Sequence, residues 1–284
     1  MYEDFKWSSI SNKRNALTKS YEPLQVYFLR HIAETERECI FLDVGANIGA
    51  YSILLSDIKS IVRIVAFEAM SECVDEIKKN IKRNSLEGRV NIVEIALSDK
   101  PGEARFLRTK PYGGDSAILD TYLFSRHSKD QVITVKTTTL DEHIKSESAS
   151  AIIMKIDVEG HELSVLRGAE NLLTSSTGWI QCEIHEKSPH RKDTFVYLND
   201  LGWKKVFRVG WDYYFTNNDQ YHNDSAALEM LESLMNSHVE ASRTAPKPYR
   251  REIAPGLTVE LSRPLVSMLK KWKTNFSFAN RNKR

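Results

Sequence analysis

The sequence predicts an α/β fold: a mainly parallel seven-stranded sheet with a C-terminal antiparallel hairpin and helices on both faces. Three observations predict it. From residue 39 onward, short β-rich segments alternate with helix-patterned segments, which is typical of a parallel sheet connected by helices. The strand segments are almost continuously apolar, as strands buried on both faces require. The last two strands are separated by little more than Gly210, a link too short for a crossover, so they must form a hairpin.

The first two predicted strands are each followed by a segment with helical spacing of its apolar residues, as a parallel sheet connected by helices requires. Cys39–Val44 is an almost continuous apolar run, and apolar residues at helical spacing follow it. Residues 61–67 repeat the strand pattern, and Val74, Ile77 and Ile81 mark one face of the next helix. The remaining strands are predicted at residues 90–97, 151–156, 179–184, 203–209 and 211–216.

The connection between the third and fourth strands, about residues 100–150, is long for a plain loop. It includes a strand-like segment at 132–136. Thr139 and Glu142 have the spacing of a capping box, which predicts a short helix before the chain returns to the sheet. We therefore expect an N-terminal helical segment at 1–37, a central domain at 38–217 that contains this insertion, and a helical, basic extension at 218–284.

The charge of the chain is unevenly distributed. The formal net charge is +2, yet residues 261–284 hold seven Lys or Arg and no Asp or Glu, so the preceding part is net negative. An acidic body argues against nucleic acid as a partner, which would need a broad basic face. The basic tail fits three arrangements: peripheral contact with an anionic membrane surface, a solvated tail, or a helix docked on the body.

Cysteine usage and the N-terminus predict a cytoplasmic protein, with peripheral membrane contact through the tail as the alternative. Cys39, Cys73 and Cys182 are widely spaced in apolar or helix-like stretches, as reduced core thiols would be. The N-terminus has no basic segment followed by an apolar run, and no stretch is apolar for long enough to span a membrane. The oligomeric state is not determined by these features.

The clearest motif is the run DVGANIG at residues 43–49, where a buried strand turns into a helix. Glycines such as Gly45 and Gly49 permit the dihedral angles of this turn and let backbone amides approach a ligand. Asn47 suits a left-handed position, and Asp43 can accept a hydrogen bond from a ligand ammonium group or from the turn itself. An ordinary strand-to-helix turn would have similar residues. The run lacks the glycine spacing of a dinucleotide fingerprint.

Glu68 follows 25 residues after Asp43, at the end of the next strand. A carboxylate there is placed to accept hydrogen bonds from both hydroxyl groups of a ribose. Its alternative role is to place negative charge at a helix N-terminus. Together with the turn, Glu68 indicates a ligand that contains adenosine, either a sulfonium compound or a dinucleotide.

Ionisable residues gather at the ends of the fourth and fifth strands. The run KIDVEGHE at residues 155–162 places Asp157 and Glu159 where the fourth strand meets its helix. Glu183 and His185 are two residues apart at the end of the fifth strand and point to the same side. Open α/β sheets bind ligands at this carboxyl edge. A structural role remains the alternative, because helix N-termini favour acidic residues and a satisfied Glu-His pair needs no ligand.

Five motifs occur in register over roughly residues 38–217. They are DVGANIG at 43–49, FE at 67–68, ALSD at 96–99, KIDVEG at 155–160 and EIH at 183–185. Through them the sequence resembles the FkbM family of S-adenosylmethionine-dependent methyltransferases. A mainly parallel sheet that ends in a hairpin is also the layout of Rossmann-like methyltransferases, whereas a nicotinamide-binding domain normally keeps its strands parallel.

The resemblance implies S-adenosylmethionine as the cofactor and a position for each cofactor residue. Asp43, Gly45 and Asn47 would line the methionine end, in the turn that Gly49 completes. Glu68 would hold the ribose. These residues, by this resemblance, form the cofactor site.

The resemblance also implies that Ser98 or Asp99 lies near the adenine. The sequence departs from the family pattern at two positions: Glu72 replaces a proline often found after the ribose-binding acid, and His161 stands where a small residue is common. Neither departure removes a cofactor contact, but both affect what can be expected of the acceptor pocket.

The implied reaction is O-methylation of a hydroxyl group on a sugar or glycan, or on a polyketide or lipid-linked acceptor. The protein would align the hydroxyl with the methyl carbon and remove its proton. Candidates for the general base are Asp157, Glu159, Glu183 and His185. The same groups suit a hard divalent ion, although no metal is expected. A nicotinamide-dependent oxidoreductase and a non-catalytic cofactor-binding relative remain as alternatives.

Overall fold

The computed structural model describes residues 22–108, 116–118, 131–144 and 151–221. The helices are α1 (Pro23–Thr35), α2 (Ala50–Leu54), α3 (Ser71–Arg83), α4 (Leu140–His143), α5 (Glu162–Arg167), α6 (Glu170–Ser175) and α7 (Arg191–Asp200). The strands are β1 (Cys39–Val44), β2 (Ile61–Glu68), β3 (Val90–Glu94), β4 (Ala96–Leu97), β5 (Gly102–Arg108), β6 (Ala117–Ile118), β7 (Gln131–Thr138), β8 (Ala151–Ile156), β9 (Gly178–Glu183), β10 (Lys204–Val209) and β11 (Asp212–Thr216).

The main sheet has seven strands in the order β10-β11-β9-β8-β1-β2-β3. β1 pairs in parallel with both β2 and β8, whereas β11 is antiparallel to β9 and β10. The predicted parallel sheet with a C-terminal hairpin is therefore confirmed. The chain continues from β1 to β2 on one side and later adds β8 on the other. The carboxyl ends of β1 and β8 thus form the switch point at which open α/β sheets bind ligands.

Apolar side chains alternate between the two faces of the main sheet, which creates two cores. Phe41 and Ile153 belong to the core covered by α1, α2 and α3. Leu42 and Met154 belong to the core covered by α4, α5, α6 and α7. Full burial of a side chain of this size contributes roughly 1.5–3 kcal/mol relative to exposure. Helices on both faces are confirmed. Cys39, Cys73 and Cys182 are buried and form no disulfide bond within the described residues, as expected.

Helix α1 lies within the predicted N-terminal segment and packs on the first of these cores. Val26, Leu29, Ile32 and Ala33 recur at helical spacing and are fully buried. Residues 1–21 and 222–284, which include the basic tail, lie outside the described residues, so the predicted division of the chain stays a prediction. Within the described ranges, no helix combines the length and apolarity needed to cross a bilayer.

The prediction of one continuous third strand at residues 90–97 is wrong. β3 ends at Glu94, and the Ile95 N–H donates to the Glu68 carbonyl at 3.0 Å. Ala96 and Leu97 then form β4, which pairs in parallel with β7 in a separate sheet. The apolar pattern continues through this point and cannot reveal the change of partner.

The insertion forms a second sheet of four strands in the order β4-β7-β5-β6. The predicted strand at 132–136 corresponds to β7. The predicted helix is α4, and its cap is confirmed because the Thr139 hydroxyl accepts from the Glu142 N–H at 3.3 Å. β5 and β6 were not anticipated from the sequence. Their residues Phe106 and Ile118 pack in a third apolar cluster with Met70 and Cys73.

Candidate active site

A cavity opens at the carboxyl edge of the main sheet, at the switch point between β1 and β8. The second sheet contributes Phe106 and Ile118 to its wall. The acidic and amide side chains of the wall come from four strand ends and from the residue before α1, and Ser116 and His161 complete its polar part. The first group is Glu22, Asn47, Glu68, Asp157, Glu159 and Glu183. The cavity therefore extends from Glu68 at one end to a group of acidic residues at the other.

The turn after β1 has the left-handed conformations that its residues suggested. The φ angles are 76° at Gly45, 53° at Asn47 and 78° at Gly49. A Cβ atom at Gly45 would lie 1.9 Å from the Asp157 carbonyl oxygen, so only glycine fits there. The Asp157 N–H donates to the Val44 carbonyl at 3.0 Å, which holds the ends of β1 and β8 together.

Glu68 lies in the cavity wall, and its carboxylate is held by backbone N–H groups. The Asn47 N–H donates to Oε2 at 2.7 Å, and the Met70 N–H donates to Oε1 at 2.9 Å. Burial raises the pKa of Glu68 to about 7. Each carboxylate oxygen can accept a second hydrogen bond. Glu68 therefore fits the pair of hydroxyl groups of a ribose.

The wall beside Glu68 is largely apolar. Met70 follows β2, and Phe106 and Ile118 belong to the second sheet. A flat aromatic ring fits between such side chains. Ser98 and Asp99, which the resemblance assigned to the adenine, are not in the wall, and the Ser98 hydroxyl is instead 2.9 Å from Nε2 of His161.

Asp43 lies beneath the turn and outside the cavity wall. It is fully buried, and Oδ2 accepts from the Ser52 N–H at 3.0 Å and from the Ser52 hydroxyl at 2.7 Å. Burial raises the pKa of Asp43. Its Oδ1 has no hydrogen-bond partner among the described residues. These contacts are internal to the protein, as one of the two roles considered for Asp43 requires, but the partner Ser52 lies in α2, just after the turn. Gly49 likewise lies outside the wall.

The acidic end brings together three of the four catalytic candidates. One oxygen of each of Asp157, Glu159 and Glu183 lies within 4.8 Å of the others. Lys155, 3% exposed, places Nζ 3.0 Å from Oδ2 of Asp157. Burial opposes the ionisation of Asp157, but the Lys155 ammonium and a hydrogen bond from Glu183 outweigh it and hold its pKa below the usual value. Burial and the Asp157 charge raise the pKa of Glu183 to about 11. Asp157 is therefore ionised at neutral pH, and Glu183 holds a proton.

His185, the fourth candidate, contacts this group from outside the cavity wall. Its Nε2 lies 3.8 Å from Oε1 of Glu183, and its ring centroid lies 4.0 Å from that of Trp211. Burial lowers its pKa, so the imidazole is neutral at neutral pH. The side chains of Glu183 and His185 do meet, as their spacing predicted.

Sequence reasoning missed Glu22, which lies in the cavity wall just before α1. Its Oε2 accepts a hydrogen bond from the Tyr51 hydroxyl, and burial together with the Asp212 charge raises its pKa to about 7. Gln181 donates to the Tyr51 hydroxyl at 3.2 Å and to Oδ1 of Asp212 at 2.8 Å. The sequence holds no signal for Glu22. Gln181 and Lys155, however, are polar residues in otherwise apolar strands, which is a signal for a buried polar group.

Backbone strain marks the same end of the cavity. Glu159 has a φ angle of 54°, a left-handed conformation that costs a residue with a side chain about 1–2 kcal/mol. Such strain is concentrated at functional sites. Glu162, by contrast, accepts from the Gly160 N–H at 2.7 Å and stabilises the start of α5.

The strand order, with antiparallel β11 between β9 and β10, defines the class as Rossmann-like methyltransferases, and the cavity lies where that class binds its ligands. The family model described as "Methyltransferase FkbM domain" matches residues 43–209. The chain belongs to the FkbM methyltransferase family, which confirms the resemblance of the five motifs.

Two methyltransferases and one solved structure are each similar to part of this chain. Hexuronic acid methyltransferase AglP of Haloferax volcanii is 30% identical over 155 residues, which are 54% of this chain and 59% of AglP. The chain therefore spans less than two thirds of AglP. 31-O-demethyl-FK506 methyltransferase FkbM of Streptomyces tacrolimicus is 26% identical over 63% of this chain and 78% of that protein. The solved structure of methyltransferase FkbM from Methylobacillus flagellatus has 15% identity and a TM-score of 0.46, over 64% of this chain and 44% of that one.

Proposed function

We propose that the protein is an S-adenosylmethionine-dependent O-methyltransferase that acts on a hydroxyl group of a sugar. Membership of the FkbM family supports methyl transfer, and the name of AglP supports a sugar acceptor. The observation on which the proposal depends is a single cavity with Glu68 at one end and Asp157, Glu159 and Glu183 at the other. This reaction needs a carboxylate that binds the ribose and groups that accept a proton, and both must line the same cavity.

The residues of the first end fit the cofactor. Glu68 would accept hydrogen bonds from the two ribose hydroxyls, and the apolar wall of Met70, Phe106 and Ile118 would take the adenine. Gly45 and Asn47 would lie beside the methionine moiety. When bound, S-adenosylmethionine supplies a methyl group already activated by a sulfonium centre. The protein therefore has to orient the acceptor and move one proton.

Asp157 accepts the hydroxyl proton in this proposal. It is the ionised member of the Asp157–Glu183 pair, and it lies in the cavity wall, unlike His185. Glu183 donates a hydrogen bond to Asp157 and orients it, while His185 orients Glu183 from outside. Glu159 would accept a hydrogen bond from a second acceptor hydroxyl. Positioned proton transfer of this kind contributes a rate factor of roughly 10²–10⁴.

The reaction is proposed to need no metal ion. The three carboxylates are close enough to bind a divalent cation. The Lys155 ammonium, however, already lies 3.0 Å from Asp157 and supplies positive charge there. The rate of methyl transfer should therefore be unchanged by a chelator. A rate abolished by chelation and restored by Mg²⁺ or Mn²⁺ would refute this part.

Calorimetric titration tests the proposal. The protein should bind both S-adenosylmethionine and its demethylated product, and Glu68→Ala should weaken both by at least about tenfold, the effect of losing charged hydrogen bonds. Glu94→Ala is the matched control, because Glu94 is the exposed β3 residue paired with Glu68. A labelled-methyl assay on a panel of glycans then tests transfer. If the protein binds neither compound, the proposal is refuted. Binding without transfer to any acceptor would favour a non-catalytic relative.

A further inference from the structure

Trp211 is an exposed indole at the carboxyl edge of the main sheet. It lies between β10 and β11 and is 48% exposed. Its carbonyl accepts from the Ile184 N–H at 2.9 Å, which ties this turn to the end of β9. The indole is thus held at the edge where the cavity opens.

Successive contacts connect the indole to the acidic end of the cavity. The His185 ring packs against the indole with the two ring centroids 4.0 Å apart and the ring planes at 40°, and Nε2 of His185 lies 3.8 Å from Oε1 of Glu183. Glu183 in turn has an oxygen within 4.8 Å of oxygens of Asp157 and Glu159. An apolar flat surface therefore adjoins a group of hydrogen-bond acceptors.

Three other large apolar side chains are exposed in the described part of the chain, but they do not lie beside the candidate catalytic groups. Val62, Val132 and Val196 are each about as exposed as Trp211 but lie singly on β2, β7 and α7. Scattered exposed apolar residues need no explanation. Trp211 differs because its ring is oriented by a second ring and lies next to the candidate catalytic groups.

We propose that Trp211, oriented by His185, is the stacking subsite for the ring of a neutral sugar acceptor. A pyranose has an apolar C–H face and hydroxyl groups around its edge. The indole matches the face, and Asp157 and Glu159 match the hydroxyls, since carboxylate oxygens accept O–H donors. The inference rests on the proposed function for the choice of acceptor, but the binding that it describes does not require methyl transfer.

The charge of this end indicates a neutral sugar rather than a uronic acid. Glu22, Asp157, Glu159 and Glu183 line the cavity here, with Lys155 as the nearby cation. A carboxylate on the acceptor would meet the negative charge of the ionised Asp157, surrounded by acidic groups that offer no positive charge, which disfavours binding. The acceptor of this chain should therefore differ from a hexuronic acid, for which AglP is named.

Ligand-observed NMR and titration of the full chain with the demethylated cofactor present test the subsite. The probes are methyl glycosides of glucose, mannose and galactose, the corresponding methyl glucuronide, and the acyclic polyol sorbitol. Trp211→Ala should weaken binding of the preferred neutral glycoside by about tenfold, as loss of an aromatic stacking contact would. Trp211→Phe keeps a flat ring and should stay within about threefold of the unmodified protein. Val196→Ala, the control for loss of an exposed apolar side chain, should have no effect.

Each outcome bears on one part of the inference. Unchanged glycoside binding in Trp211→Ala, or no binding of any glycoside by the unmodified protein, overturns the subsite. If sorbitol binds as tightly as the neutral glycosides, stacking of a sugar ring is overturned. If the glucuronide binds as tightly, the preference for a neutral sugar is overturned. Cofactor affinity should be the same in all three variants. If the cofactor fails to bind while glycoside stacking persists, the proposed function fails and the subsite stands.

Discussion

The two ends of the cavity hold their carboxyl groups in opposite ways. At the end that we propose for the cofactor, each oxygen of Glu68 accepts a hydrogen bond from a backbone N–H, one from Asn47 and one from Met70. At the acidic end, the protonated Glu183 donates a hydrogen bond to the ionised Asp157, and the nearby positive charge is that of Lys155. Backbone donors are fixed by the turn and the strand, so they hold one ligand geometry. Side chains that face one another can exchange a proton, and this suits the end at which we propose that a hydroxyl loses one.

Replacing Lys155 with methionine should have the largest effect, because the acidic end depends on this cation. Nζ lies 3.0 Å from Asp157 and 5.1 Å from the centre of the Tyr51 ring. Its loss leaves buried carboxylates uncompensated, which should lower the free energy of unfolding by about 3 kcal/mol, as measured in urea. Lys78→Met is the control, because its pair with Asp75 is exposed and should contribute less than about 1 kcal/mol. Equal losses in the two variants would show that the cation is not needed.

Asp157→Asn should have the second largest effect: the rate of methyl transfer should fall about 100-fold because the proton acceptor is lost. Cofactor affinity should remain, since Glu68 at the other end is untouched. Glu183→Gln should reduce transfer less than tenfold, because Glu183 already holds a proton and an amide resembles that form. Initial rates with labelled cofactor measure both. A larger loss in Glu183→Gln than in Asp157→Asn would reverse the assignment of roles.

The pH dependence of cofactor binding should show the smallest effect. Ribose hydroxyls bind best to an ionised Glu68, whose pKa is raised to about 7. As the pH falls below about 7, protonation competes with binding, so affinity should fall by up to about tenfold per pH unit. In the free protein, the same shift makes the free energy of unfolding decrease as the pH rises from 4.5 to about 7. Titrations at several pH values should show the slope in Glu94→Gln and lose it in Glu68→Gln.

Local chemistry explains what could be predicted from the sequence. Continuous apolar runs defined the strands of the main sheet, and the turn followed from Gly45, Asn47 and Gly49, whose left-handed angles need those residue types. Asp157 and Glu183 could be brought together because parallel strands end at one edge.

What could not be predicted depends on contacts between distant segments. The end of β3 is set by a hydrogen bond from Ile95 to the Glu68 carbonyl, and no local pattern encodes it. Glu22 reaches the cavity only through the packing of α1 and its hydrogen bond with Tyr51. His161, rather than Ser98, lies in the wall: the segment between β8 and α5 meets the residue that follows β4, where the Ser98 hydroxyl lies 2.9 Å from Nε2 of His161.

The insertion leaves and rejoins the body of the protein at adjacent points. β4 and β7 pair in parallel, with Ala96 opposite Thr137, and the segment between them supplies Phe106 and Ile118 to the cavity wall. Because the closure entropy of a loop grows only slowly with its length, this segment can lengthen, shorten or be exchanged without moving the strands that position Glu68 and Asp157. We therefore expect that exchanging this segment between family members alters the apolar wall beside Glu68 while the strands of the main sheet keep their positions.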